Sequence, residues 1–314
     1  MIRAVAVATP RQQRRPEGFY IIAAGFALAS PLVLLLIVVL LWQQAAPAVS
    51  HFGPGFLTSR QWNPVASSFG ALPFTFGTVA TSLLALAMAL PVGIGVAIFL
   101  AEPGAARARG AIGVGVELLA AIPSVVYGLW ALYVMAPWLA HQVEDPLVAR
   151  LGSTIPVFAG PARQASLFTA SVVLAVMILP TLAAVSRDVV KAVPNALRES
   201  AYALGATWWE VTWRVVLPAA RRGIFGAVVL ALGRALGETI AVTMVIGNRP
   251  DIPSSLFAPA YTLASVIANE FTEATGQLYS SALVELGLVL MLVTLAVNGG
   301  AQLLVYATTR GPRR

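Results

Sequence analysis

From Phe19 to Trp42 the chain runs 24 residues without one charged side chain, and no other feature constrains the fold as much. An α-helix rises about 1.5 Å per residue, so about 20 apolar residues cross the hydrocarbon of a bilayer. The run follows Arg11, Arg14 and Arg15 and precedes Ala-Ala-Pro-Ala at 45–48, the setting of a cleaved secretion signal. Its length exceeds the roughly 7 to 15 apolar residues of such a signal, which predicts a retained membrane anchor.

Five more apolar runs follow: Pro73 to Ala101, Ala111 to Ala140, Ala165 to Val185, Gly223 to Gly247 and Leu278 to Ala307. Pro91 and Pro123 inside the second and third predict bends or breaks, whose freed backbone groups neighbouring helices must satisfy. With 58% hydrophobic and 11% charged residues, the expected fold class is all-α, a polytopic membrane protein of six transmembrane helices. One membrane domain spans 19–307, between a basic tail at 1–18 and a short basic tail at 308–314. The chain has no cysteine, which excludes disulfides, thiolate metal sites and cysteine nucleophiles.

Basic residues set the orientation. With both ends inside, cytoplasmic segments hold Arg3, Arg11, Arg14, Arg15, Arg107, Arg109, Arg187, Lys191, Arg198, Arg214, Arg221, Arg222, Arg310, Arg313 and Arg314, against Arg60, Arg150, Arg163 and Arg249 outside. That imbalance predicts cytoplasmic N- and C-termini. The net charge of +7 is therefore a topology signal, and nucleic-acid binding is not expected. The outer segments, about 43–72, 141–164 and 248–277, are polar and too short for a separate domain.

The longest inner segment, 186–222, reads "SRDVVKAVPNALRESAYALGATWWEVTWRVVLPAARR". Asn195 is placed to cap a helix, Gly205 to end it, and Trp208 to Val216 to form a second short helix before Pro218. An amphipathic pair resting on lipid headgroups is one reading, because Trp208, Trp209 and Trp213 suit that interface. Glu199, Ser200 and Ala201, then Gly205, then Val215, Leu217 and Pro218 resemble the EAA motif of ABC importer permeases. Ser200 stands for an alanine and Val215 for an isoleucine. The resemblance implies a coupling helix that seats in a cleft of a separate ATPase, with Ala201, Leu204, Gly205 and Ala206 as a compact apolar surface and Glu199 at its edge. Lys191, the only lysine, follows no glycine-rich phosphate loop. ATP and Mg therefore belong to the partner ATPase, and this chain is expected to be non-catalytic, with no cofactor or metal of its own.

The fifth run carries two charges, in "GRALGETIAVTMVIGN" from Gly233 to Asn248. A charge at mid-bilayer costs about 2.5 to 3.5 kcal/mol on insertion scales. On a continuous helix Arg234 and Glu238 share a face with Ala227, Ala231, Gly237 and Ala241, and small residues beside charges predict close packing or a wet cavity rather than lipid. One reading is a structural ion pair, of Arg234 with Glu238 or with Glu285 on the sixth run. The other is an anion path: a guanidinium stays protonated, is weakly hydrated, and presents a planar fork that matches phosphate oxygens.

This stretch, with "FGALPFTFGTVATSLLALAMALPVGIGVAIFLAE" (69–102), "AIPSVVYGLW" (121–130) and "ANEFTEA" (268–274), resembles the PstC-type permeases of phosphate-specific ABC importers over residues 19–307. The resemblance implies a type I, MetI-like permease fold in a bacterial inner membrane. It also implies a paired PstA-type permease, a homodimeric ABC ATPase and an extracytoplasmic phosphate-binding protein. The family's charged pair maps onto Arg234 and Glu238. Ser124, Tyr127, Thr239, Thr243 and Asn248 are weaker path candidates, since each residue type also serves ordinary helix packing.

Rival readings remain. Neither HExxH nor an intramembrane serine or aspartyl protease pattern occurs, and His51 and His141 fall in outer loops. A proton-coupled carrier would use Glu117, Glu238 and Glu285 as a relay, but such carriers show repeated halves and no ATPase dock. A permease for another oxyanion or small solute is the nearer alternative, because an arginine fork serves any tetrahedral anion.

Overall fold

A computed structural model describes residues 17–102 and 106–309. Most of the two expected basic tails lies outside these residues. The chain is helical, and the described residues hold no β-strand beyond an isolated bridge between Asn63 and Ser68. The helices are α1 (Glu17–Phe52), α2 (Leu72–Ala101), α3 (Ala106–Ala121), α4 (Ser124–Leu151), α5 (Leu167–Lys191), α6 (Asn195–Ala203), α7 (Trp208–Leu236), α8 (Ile240–Val245), α9 (Leu263–Glu270) and α10 (Gln277–Thr309). Five helices among the described residues are long and apolar enough to cross a membrane, and α3 with α4 makes a sixth span if that pair is counted as one.

The two prolines behave differently. α2 stays helical through Pro91, as membrane helices allow when surroundings compensate for a lost backbone bond. Pro123 instead sits at the junction of α3 and α4, which meet at 97°. The residue before a proline is driven out of the helical region, and Tyr127 Oη donates to Leu119 O across the bend at 2.8 Å.

α2 and α5 form the centre. Along α2 the small residues Gly77, Thr81, Ala85, Ala89, Gly93 and Ala97 recur every four positions and are all buried. Such a stripe lets two backbones approach closely, which supplies dispersion contact where lipid offers no hydrophobic drive. A Cβ on Gly93 would lie 2.8 Å from Leu182 Cδ2 on α5. α5 is the most enclosed span, with 61% of its most apolar window buried, against 0% for α1, which packs chiefly on α10.

At the end of the bundle opposite α6, the 246–262 segment folds back on the α5 start, with Ser166 N bonded to Val245 O and Leu167 N to Ala258 O, both at 3.0 Å. Ser166 caps α5 by accepting from Thr169 N. The buried Glu144 carboxylate at the end of α4 accepts from Arg163 N at 3.1 Å and from the Ser166 and Thr169 hydroxyls at 3.1 and 3.3 Å. Nearby, the Trp62 indole and Tyr279 hydroxyl both donate to Glu270 Oε2, at 2.8 and 2.7 Å. These bonds tie the α1–α2 connection to the start of α10.

Gly77 is the tightest point. A Cβ there would stand 2.1 Å from the Tyr261 carbonyl oxygen, and a backbone atom cannot swing away. Beside it, Thr78 Oγ1 accepts from Leu263 N at 2.9 Å. Gly77→Ala is expected to destabilise the fold by about 1 to 3 kcal/mol, the usual cost of overpacking. Thermal unfolding of the detergent-solubilised protein reads that loss, and an unchanged midpoint would contradict the packing described.

Candidate functional site: a docking tip and a broken charged helix

Two chemically distinct places stand out, one on the longest inter-span connection and one deep in the bundle. At the first, α6 begins at Asn195 with Pro194 at its cap, and no side-chain capping bond forms. The expected Asn195 cap is therefore replaced by proline, whose fixed φ suits a helix entrance. Gly205 does end the helix, at φ +83°, with Gly205 N bonded to Tyr202 O at 2.9 Å and Ala206 N to Ala201 O at 3.1 Å. That pairing satisfies the last carbonyls and requires a left-handed residue, which glycine adopts at no steric cost.

The expected second short helix is instead the first turns of α7. Thr207 and Glu210 form a reciprocal capping box, a start signal that the Thr-x-x-Glu spacing carries and the expectation passed over. Pro218 does not stop the helix because the preceding turn, Thr212–Val216, widens to the π form, with Leu217 N reaching Thr212 O. A wider turn accommodates a ring that otherwise clashes with a carbonyl one turn back.

The motif residues divide between two faces. Glu199, Ser200, Leu204 and Gly205 are exposed, and Leu204 at the tip is 89% exposed. Ala201 and Ala206 are half-buried and also pack inward with Val190, Val193, Val211 and Val216, which holds α6 to the bundle. Leu217 is half-buried and Pro218 exposed at the α7 entrance.

At the second place the expected continuous helix is broken. α7 ends at Leu236, Gly237 is its cap, and α8 begins at Ile240, so Arg234 and Glu238 lie on either side of a break. Sequence supplies the reasons: glycine has weak helix propensity, and a Glu-Thr pair offers oxygens to the exposed N–H groups of a new helix. Glu238 Oε1 accepts from Ala241 N at 3.5 Å, and Thr243 Oγ1 donates to Thr239 O at 2.7 Å.

The common face expected for the charges is also divided. Ala227, Ala231 and Ala235 are buried, with α7 packed on α5. Gly226, Leu230, Arg234 and Gly237 are exposed along one neighbouring face. Ala241 belongs to α8, where Gly128 of α4 comes so close that a Cβ would sit 3.1 Å from the Ala241 Cα. Arg234 makes no ion pair among the described residues, with Glu238, with Glu285 or with any other acid. It stands in the last turn of α7, where the helix's free carbonyls favour a cation by about 0.3 to 1 kcal/mol. Twelve residue steps, about 18 Å of helix rise, separate it from Arg222 nearer the α6 end.

The weaker candidates are mostly engaged locally. Tyr127 is buried with its hydroxyl on Leu119. Thr239 Oγ1 reaches Gly237 O at 3.3 Å. Asn248, at φ +50°, donates through Nδ2 to Thr243 O at 2.9 Å. Ser124 is half-buried at the first position of α4. Among the described residues Ser124 alone of these five makes no side-chain hydrogen bond.

The three acids of a carrier relay stand on different elements. Glu117 pairs with Arg187 at 3.7 Å, Glu238 borders the helix break, and Glu285 is buried on α10. Glu285 lines an open groove of about 1120 Å³ between α1, α7 and α10, together with Gly233, Gly237 and Asn298. Among the described residues no three acids or histidines are grouped to hold a metal.

Comparison with known proteins agrees with this architecture. Residues 89–309 match the family described as binding-protein-dependent transport system inner membrane component. The chain is 53% identical over 260 residues to the phosphate transport system permease protein PstC of Mesorhizobium japonicum, covering 82% of this chain and 78% of that one. It is 49% identical to the protein of that name from Pasteurella multocida, covering 82% and 81%. Among solved structures, a chain of a bacterial alginate ABC transporter aligns with TM-score 0.60 and 18% identity over 92% of this chain and 95% of that one. The MetNI methionine ABC transporter aligns with TM-score 0.53 and 20% identity over 76% and 95%. These two show the fold, that of ABC importer permeases. The chain is a multi-pass inner-membrane protein, and it belongs to the family of binding-protein-dependent transport system inner membrane components, among its PstC-type permeases.

Proposed function

We propose that this chain is one of two permease subunits that together form the passage for inorganic phosphate in an ATP-driven importer. The observation that carries the reading is the exposed, unpaired Arg234 beside the exposed Gly237, where the long apolar helix α7 breaks. Irregular backbone within a bilayer persists only where it is covered by protein or lines a watery cavity, and an unpaired guanidinium demands the same. A second, PstA-type subunit closing over this face makes a constriction that both chains line. There Arg234 replaces water lost from a phosphate oxygen, and Glu238 across the break limits how tightly the anion is held.

The PstC name of relatives at 49 to 53% identity supports phosphate as the cargo. The exposed Leu204–Gly205 tip supports a dock for a homodimeric ATPase, which binds ATP and Mg. The basic residues about α6 and at the ends of the chain support a cytoplasmic position for that dock and for both termini. An extracytoplasmic phosphate-binding protein then delivers the cargo at the opposite end.

Proteoliposomes containing this chain, its paired permease, the ATPase and the binding protein test the reading. Labelled phosphate is expected to accumulate only with ATP and all four components. Uptake by this chain alone under a proton gradient would identify a carrier instead. Accumulation of another oxyanion in preference to phosphate would keep the fold and displace the cargo.

A further inference from the structure

The proposal concerns how the tip of α6 is joined to the bundle, and it rests on the importer reading above. Besides the apolar packing of Ala201 and Ala206, three connections leave α6. Gly205 to Thr207 leads directly into α7, and Ala192 to Pro194 leads back to α5. The third is not covalent. Arg198, midway along α6, turns its guanidinium away from the exposed tip and forms an ion pair through Nη1 with Glu102 Oε1. Its Nη2 donates to Val190 O in the last turn of α5 at 2.8 Å.

Glu102 is the residue that ends α2, with its N–H still bonded to Ile98 O. Its side chain is 4% exposed and that of Arg198 12%. Its carbonyl also receives Arg109 Nη1 from α3 at 2.9 Å. Four helices thus converge on one buried carboxylate and one guanidinium.

A pair this enclosed is hard to separate. Removing either partner leaves a charge in a poorly solvated place, whereas the surface pairs elsewhere in the chain are screened by water. α2 in turn lies along α5 through its small-residue stripe and meets the Tyr261 segment at Gly77. Displacement of α6 therefore reaches three helices of the bundle, α5 and α7 through the chain and α2 through the ion pair.

We propose that the Glu102–Arg198 pair is a mechanical coupling element. It transmits movement of the ATPase-docked α6 to α2, so that α2 and α7 shift together and ATP hydrolysis yields transport. Both residues are positioning residues, and neither touches the cargo.

Glu102→Gln in the full importer tests this, since Glu102 lies off the docking surface. The complex is expected to assemble and hydrolyse ATP, while phosphate moved per ATP falls by about five- to 150-fold, the span of ordinary coupling free energies. The chain's lack of cysteine permits a second arm. Glu102→Cys/Arg198→Cys is expected to be uncoupled when reduced and to regain transport per ATP when the thiols are joined by a short bifunctional reagent, which a merely stabilising contact would not produce.

Unchanged phosphate per ATP in Glu102→Gln would overturn the proposal. If Glu102→Gln fails to assemble, the double-cysteine protein decides alone, and equal coupling before and after joining would overturn it. The unsubstituted complex is measured alongside. Absence of phosphate uptake there would count against the cargo and leave the coupling to be judged by whether the binding protein still stimulates ATPase.

Discussion

Arg234→Ala is expected to lower phosphate uptake by the assembled importer about thirtyfold to several thousandfold while leaving ATPase association intact. The size follows from removing one partner of a desolvated charge contact, which costs about 2 to 5 kcal/mol, at about 1.4 kcal/mol per tenfold. Assembly survives because Arg234 is exposed and carries none of the packing that Ala227, Ala231 and Ala235 provide. Arg234→Lys keeps the charge and loses the planar fork, so it is expected to fall between the parent and the alanine variant. Initial-rate uptake in proteoliposomes, with co-purified ATPase as the assembly control, makes the measurement. Normal transport by Arg234→Ala would remove the anion-path reading.

Gly205→Glu is expected to abolish ATPase association, and with it ATP-dependent uptake. Two effects act together. At φ +83° a side chain strains the backbone by about 1 to 2 kcal/mol, which loosens the turn that ends α6. The new carboxylate also stands beside Leu204, the most exposed apolar side chain of the tip, and desolvating it in a partner's cleft is costly. Apart from Gly205 itself and its two chain neighbours, no heavy atom among the described residues lies within 4 Å of where the added Cβ would stand, so the bundle itself is not disturbed. Retention of stoichiometric ATPase on an affinity column would contradict the dock.

Much of this was legible in the sequence because apolar run length is a one-dimensional signal. α2 and α10 begin within a residue of the expected runs, and Gly205 announces its turn. The charged helix was misread because its apolar composition continues across Gly237 to Thr239, whereas the break depends on a glycine stop and oxygen caps that a hydropathy window does not weigh. Pro218 misled in the opposite sense, since whether a π turn forms depends on packing by Thr212 and Val216, which are buried. The Glu102–Arg198 pair joins positions 96 residues apart, and no local pattern reports such a pairing. The four-residue stripe along α2 was present in the letters and becomes meaningful once α5 is known to face it.

The wide turn before Pro218 has a final consequence. It keeps the path from Trp208, just beyond the docking tip, to the arginine a single helix, so the direction in which the guanidinium points is set by counting residues. One residue added or removed along that rod turns Arg234 by about 100°. The length of this stretch is therefore as much a part of the anion contact as the arginine itself.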